Sequence, residues 1–287
     1  MSPVPPGDPP PAPAPVVAVI GRRGRRRRPG SSGPILLLLF VVVMVGVGRL
    51  TEPAAHGRGE IVLEAASSAG PHPFTASVAT GPAPPAPAPA TAAAHGAPGP
   101  SGATAAVITT TRGSQPGVYG GSRNAASCDA QRLVQALQQS PAQAAAWSEV
   151  EGITAQDIPS FAGGLTGVVL RNDTRVTDHG FITDHPTVFQ AVLETGTTVL
   201  VDHFGVPRVR CAGGTPLGPP VAVVITPRYV GTRWPGFEPA GVSVVTAASQ
   251  PVSALVLVDG ATGTRFSRPV ATGGQADTDA PAAAAAS

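Results

Sequence analysis

The stretch from Thr80 to Ala106, TGPAPPAPAPATAAAHGAPGPSGATAA, limits this chain more than any other feature. Proline lacks a backbone N–H and fixes φ, so a Pro/Ala run of this kind supports neither a helix interior nor a central strand. It reads as a semi-rigid, extended linker. A second Pro-rich run, PVPPGDPPPAPAPV, opens the chain, and an Ala/Gly-rich stretch from about Ala271 closes it. Both read as disordered, because neither holds enough apolar side chains to bury a core. The compact part is then about 114–270, long enough for one sizeable core.

Charge is distributed unevenly. The 287 residues carry a formal net charge of +2, and every basic residue is Arg. Six of them stand together at Arg22, Arg23, Arg25, Arg26, Arg27 and Arg28. From residue 49 onward 13 Arg face 16 acids. The body of the chain is therefore slightly acidic, which argues against nucleic acid as a partner.

Behind the Arg run comes PGSSGPILLLLFVVVMVGVG, Pro29 to Gly48, without a charge. A helix of that length spans roughly 30 Å, about one hydrocarbon core. The expectation is a signal anchor: a transmembrane helix at 34–50, with a cytoplasmic tail at 1–33. The positive-inside rule places the N-terminus in the cytoplasm and the C-terminal domain outside the cell membrane. A cleaved signal peptide is the competing reading. It needs a small-residue cleavage site, and VGVGRLTEPAAHG offers only a poor one.

Residues 51–79 form an extracytoplasmic segment with strand character at Ile61 to Leu63, and 80–113 form the linker. Within 114–270 the first part is helical. Ala130, Leu133, Val134 and Leu137 fall on one helix face, behind Asp129 at the positive helix end. Ser140, Pro141 and Gln143 then open a second helix with a capping box, and Gly152 stops it. Thr154 caps a short third one.

Strands follow at 167–171, 197–202, 207–211, 221–225, 242–245, 254–259 and 264–268, with turns at HFGV and GATG. TVFQAVLETG reads as a short helix between strands. The fold class is thus α+β, with N-terminal helices packed on a mostly antiparallel sheet, preceded by a single transmembrane helix and disordered Pro/Ala-rich segments.

The candidate chemistry lies in an Asp/His-rich loop. Asp173, Arg175, Asp178, His179, Asp184 and His185 fall in DTRVTDHGFITDHP, and Asp202 and His203 in VLVDHFG. These residue types could bind zinc or act as acid and base. Their spacing fits no ligand template, and adjacent residues on an extended chain point to opposite sides. The reading is a polar loop with no metal and no cofactor. The two cysteines, Cys128 and Cys211, are expected to form a disulfide, because an exported domain sits in an oxidising compartment.

Several segments together carry a resemblance: PGVYGGSRNAASCDAQRLVQAL, AAAWSEVEGI, DTRVTDHGF, TTVLVDHFGVPRVRC, WPGFEP and LVLVDGATGTRFSRP. They resemble an actinobacterial domain of unknown function that occurs in exported or membrane-anchored proteins. The resemblance covers about 114–270. It implies an extracytoplasmic domain and brings no catalytic or binding residues. The functional expectation is a membrane-anchored envelope module that recognises a ligand, a glycan or a partner protein, a binder rather than an enzyme. The alternative is an extracytoplasmic hydrolase using the Asp/His-rich loop.

Overall fold

A computed structural model describes residues 59–81, 109–222 and 227–281. The segments read as a cytoplasmic tail and as a membrane span, 1–33 and 34–50, lie outside these residues. So does the reading of 223–225 as part of a strand. Among the described residues no helix is long and apolar enough to cross a membrane.

In chain order the elements are β1 (Glu60–Glu64), β2 (Thr109–Arg112) and β3 (Tyr119–Gly121), then α1 (Ala130–Gln138), α2 (Pro141–Glu151) and α3 (Ile158–Gly163). The strands β4 (Thr166–Leu170), β5 (Thr174–Ile182), β6 (His185–Leu193), β7 (Thr198–Val201), β8 (Pro207–Arg210) and β9 (Thr215–Gly218) follow. The chain ends on β10 (Arg228–Val230), β11 (Ser243–Thr246), β12 (Ala254–Asp259), β13 (Arg265–Pro269) and β14 (Thr278–Asp279).

This corrects the expected fold class. The described part is mainly β: fourteen connected strands against three short α-helices. It is not a layer of N-terminal helices packed on a mostly antiparallel sheet. The sheet is also mixed, since β1 runs parallel to both β6 and β10, and β12 parallel to β3.

The strand order is β10-β1-β6-β5-β9-β8-β7-β4-β3-β12-β13-β14. The junction is β9, which divides its four residues between two neighbours. Thr215 and Pro216 pair with β8, and Leu217 and Gly218 pair with β5. A further parallel pair, β2 with β11, joins β5 where Ser243 lies opposite Thr174.

The helices form where the apolar pattern puts them. Asp129 accepts from Arg132 N at 2.9 Å and caps α1. Pro141 opens α2, but Ser140 makes no side-chain cap bond, so the expected capping box is absent there. The box forms instead at Thr154 with Asp157. Leu133, Leu137, Trp147 and Ile158 from this helical corner pack on Leu200 and Val209. The other face of β7 sends Val199 and Val201 into a second core with Val168, Val176, Phe189 and Leu257. Burial on both faces explains why TVLV is an unbroken apolar run rather than an alternating one.

TVFQAVLETG is not a helix. It is most of β6, paired with β5 over nine rungs from Thr174↔Leu193 to Ile182↔His185. Thr183 (φ 49°) and Asp184 (φ 65°) make the two-residue turn of this hairpin, whose paired positive φ values match the twist of the strands. Phe189, Ala191 and Leu193 alternate into the core, a period of two that the sequence partly hides.

Residues 59–81 belong to the same body. Ile61 and Leu63 build a third core cluster with Val192, Phe237 and Val242. Phe74 and Val78 are buried in the helical corner. Part of the stretch expected as a disordered tail, 271–287, is ordered as far as 281: β14 pairs with β13, and the Asp277 side chain is buried.

Candidate functional site

Among the described residues, three distant segments build a buried cluster of charged side chains. Arg210 ends β8, Asp178 lies in the middle of β5, and Glu64 ends β1. Their side chains are 1–2% exposed. Arg210 Nη1 donates to Asp178 Oδ2 at 3.1 Å and also contacts Glu64 Oε1. Arg210 Nη2 donates to Ser68 O at 2.6 Å, which holds the loop after β1 over the cluster. The other Asp178 oxygen, Oδ1, accepts from His179 N at 2.6 Å.

One guanidinium faces two carboxyl groups here. A second negative charge out of water is costly. Burial, and then the neighbouring Asp178, push the Glu64 carboxyl up to about 9, against the pull of Arg210. Burial therefore favours the protonated form of Glu64, which spares the cluster a second buried negative charge. Burial opposes the Arg210 charge, but Asp178 and Glu64 outweigh it and raise its pKa. The cluster ties β1, β5 and β8 together and is sealed from solvent.

The remaining candidates do not join it. Asp173 Oδ1 accepts from Thr195 N and Oγ1 at 2.8 and 3.0 Å, and its Oδ2 accepts from Trp234 Nε1 at 3.1 Å. Arg175 donates to Val221 O at 2.6 Å and Gln190 Oε1 at 3.3 Å. His179 Nδ1 bonds Pro216 O at 2.9 Å, and burial lowers the pKa of the ring.

Asp184 and His185 are exposed at the tip of the β5–β6 hairpin. His179 pairs with Val188, three rungs from His185, so the two imidazoles leave opposite faces of the hairpin. Asp202 Oδ1 accepts from Phe204 N and Val206 N at 2.9 and 3.0 Å, closing its own turn between β7 and β8. The exposed His203 ring lies 4.4 Å from the Phe204 ring. Among the described residues no three His, Cys, Asp or Glu side chains gather where they could hold a metal ion.

Sequence reasoning missed Glu64, Arg208, Arg210 and Glu151. Arg208 bonds the buried Glu151, stands 3.6 Å from Asp202 and lies over the Phe161 ring at 5.3 Å. Burial pushes Glu151 up to about 7, with Arg208 opposing the rise and Asp202 adding to it. The usable signal was PRVRC itself: two Arg inside an apolar strand need partners wherever that strand is central.

Cys128 and Cys211 form a disulfide, with Cα atoms 6.0 Å apart. It joins the start of the helical corner to the end of β8, as the sequence predicts. Among comparisons with known proteins, a family model described as "Domain of unknown function (DUF6777)" matches residues 109–271. No curated protein and no solved structure matches the chain.

Proposed function

The chain belongs to the DUF6777 family, whose description carries no activity, and we propose from its own geometry that it is a recognition module of the cell envelope. On this reading it binds a ligand or a partner outside the cytoplasm and turns over no substrate. The observation that carries the reading is the use made of the three aspartates inside the fold. Asp178 holds Arg210, Asp173 holds Thr195 and Trp234, and Asp202 holds its own turn. Carboxylates engaged in this way are poor general bases, because their lone pairs are already committed.

What the fold presents to solvent is binding chemistry. The hairpin tip offers Asp184 and His185, and Val188 on β6 is 66% exposed. Val221, 63% exposed, is bonded through its N–H to Gln190, two residues along β6 from Val188. These are the two large apolar side chains left exposed among the described residues. An exposed apolar pair edged by polar groups is the composition of an interaction surface.

Placement outside the cytoplasm is supported by the disulfide and by the Arg run before an uncharged stretch. Protease added to intact, wall-free cells should degrade 59–281, and full protection would sink the placement. For recognition, residues 59–281 carrying Val188→Asp should lose the retention on the isolated envelope fraction that the same segment shows with Val188, a comparison that no membrane anchor can mask. Equal retention of variant and wild type would remove this surface from the proposal.

A further inference from the structure

Two guanidinium groups converge at the turn that precedes β3. Gly117 N donates to Val256 O at 2.8 Å, and Gly117 O accepts from Arg171 Nη1 at 2.5 Å. A β-carbon built at Gly117 would stand 3.5 Å from Arg171 Nη1, 3.9 Å from Arg265 Nε and 3.4 Å from Val258 Cγ2. Nitrogens of both arginines thus come within 4 Å of one point. Gly120 clears the other flank, where a β-carbon would touch Arg171 Cγ at 3.4 Å.

Like charges held this close repel, and a fold normally places a carboxylate between them. None is there. Among the described residues every ion pair uses a different arginine. Asp259, beside Val258 in the chain, spends its oxygens on the backbone N–H groups of Arg123, Ala261 and Thr262. Arg171 Nε is buried and has no hydrogen-bond partner. Arg265 is exposed on β13.

We propose that Arg171 and Arg265 form a binding site for a tetrahedral oxyanion, a phosphate or sulfate group. Guanidinium presents N–H donors in a planar fork that matches such oxygens, and two forks meeting at one point can share one anion. Val258 provides an apolar wall on one side, and the glycines at 117 and 120 leave the room. The anion offsets the repulsion that the fold leaves uncompensated. The site shares no residue with the hairpin surface proposed above, so either can fail alone.

The test uses the full-length chain at fixed ionic strength, with chloride exchanged for inorganic phosphate or sulfate. Melting temperature should rise saturably with either anion. Arg265→Gln, which removes no contact the fold uses, should weaken the apparent affinity at least about tenfold, as expected for one charge-assisted contact. Arg265→Glu should raise the melting temperature in chloride, by giving Arg171 a carboxylate, and abolish the response. Tighter binding of glycerol phosphate than of inorganic phosphate would assign the site to an esterified ligand, and the reverse order to the free ion. No saturable effect on the wild type, or an equal effect on Arg265→Gln, overturns the proposal.

Discussion

Arg268 and Asp277 meet through two hydrogen bonds, Nε to Oδ1 at 3.0 Å and Nη2 to Oδ2 at 2.7 Å, and neither side chain has exposed surface. Arg268 also donates to the carbonyls of Gly167, Ser122 and Ala125. One side chain thus pins the chain end to β4 and to the loop after β3. Asp277→Ala leaves a buried guanidinium short of its counter-charge and should cost about 3–5 kcal/mol. Urea unfolding measures it; a loss under about 1 kcal/mol would mean that water reaches the site.

The Glu64 carboxyl gives a pH dependence of known sign. Its folded pKa, about 9, lies above its ordinary value of 4.5. The native state therefore holds a proton that the unfolded chain releases, so the stabilisation is full below 4.5 and is lost as pH rises toward 9. Glu64→Gln does not titrate. Between pH 5 and 9 the wild type should lose melting temperature relative to this variant, and parallel curves would refute the assignment.

Removing the disulfide by Cys128→Ala with Cys211→Ala opens a loop closed across 83 positions. Chain entropy puts the loss at about 4.5 kcal/mol. For a body of this size that is roughly 10 °C in melting temperature. Calorimetry of the double variant decides it, and an unchanged melting point would show that the unfolded chain gains no entropy when the bridge is lost.

Gly70 separates backbone strain from steric conflict. Its φ is +76°, and a β-carbon there would run into the Glu64 carboxyl and stand 2.6 and 2.8 Å from the Arg210 nitrogens. Gly152 has a similar φ of +68° with nothing within 4 Å. Gly152→Ala should cost about 1 kcal/mol, and Gly70→Ala about 2 kcal/mol more. Equal costs, compared by urea unfolding, would mean that the loop over the cluster yields freely.

The helices were legible because their signals are local: the spacing of Leu133 and Leu137, Pro141 at a first turn, Gly152 at a stop. β7, β8, β12 and β13 were legible as apolar runs with turn residues between them. β3 (YGG), β9 (TPLG) and β2 (TTTR) were not, because Gly, Pro and an exposed Thr run carry no alternation to read. β6 was misread since its turn, Thr183–Asp184, lacks the glycine that usually marks such hairpins. At the site, Asp178 is legible as a chemical type, but the polar loop expected around it is the central part of β5. Its partners arrive from β1 and β8, and no local pattern reports a contact between Glu64 and Asp178.

Residues 59–81 have a consequence for proteolysis. They contribute β1, Glu64, Phe74 and Val78 to a body whose other residues come from 109 onward, while the disulfide lies wholly within that later part. A cut anywhere in 82–108 breaks the chain without parting the two pieces. The nicked protein should elute as one particle in native buffer and separate only in denaturant. After such a cut, residues 59–81 would stay joined to the later part by non-covalent pairing alone, so that a cut in 82–108 frees that part only on unfolding.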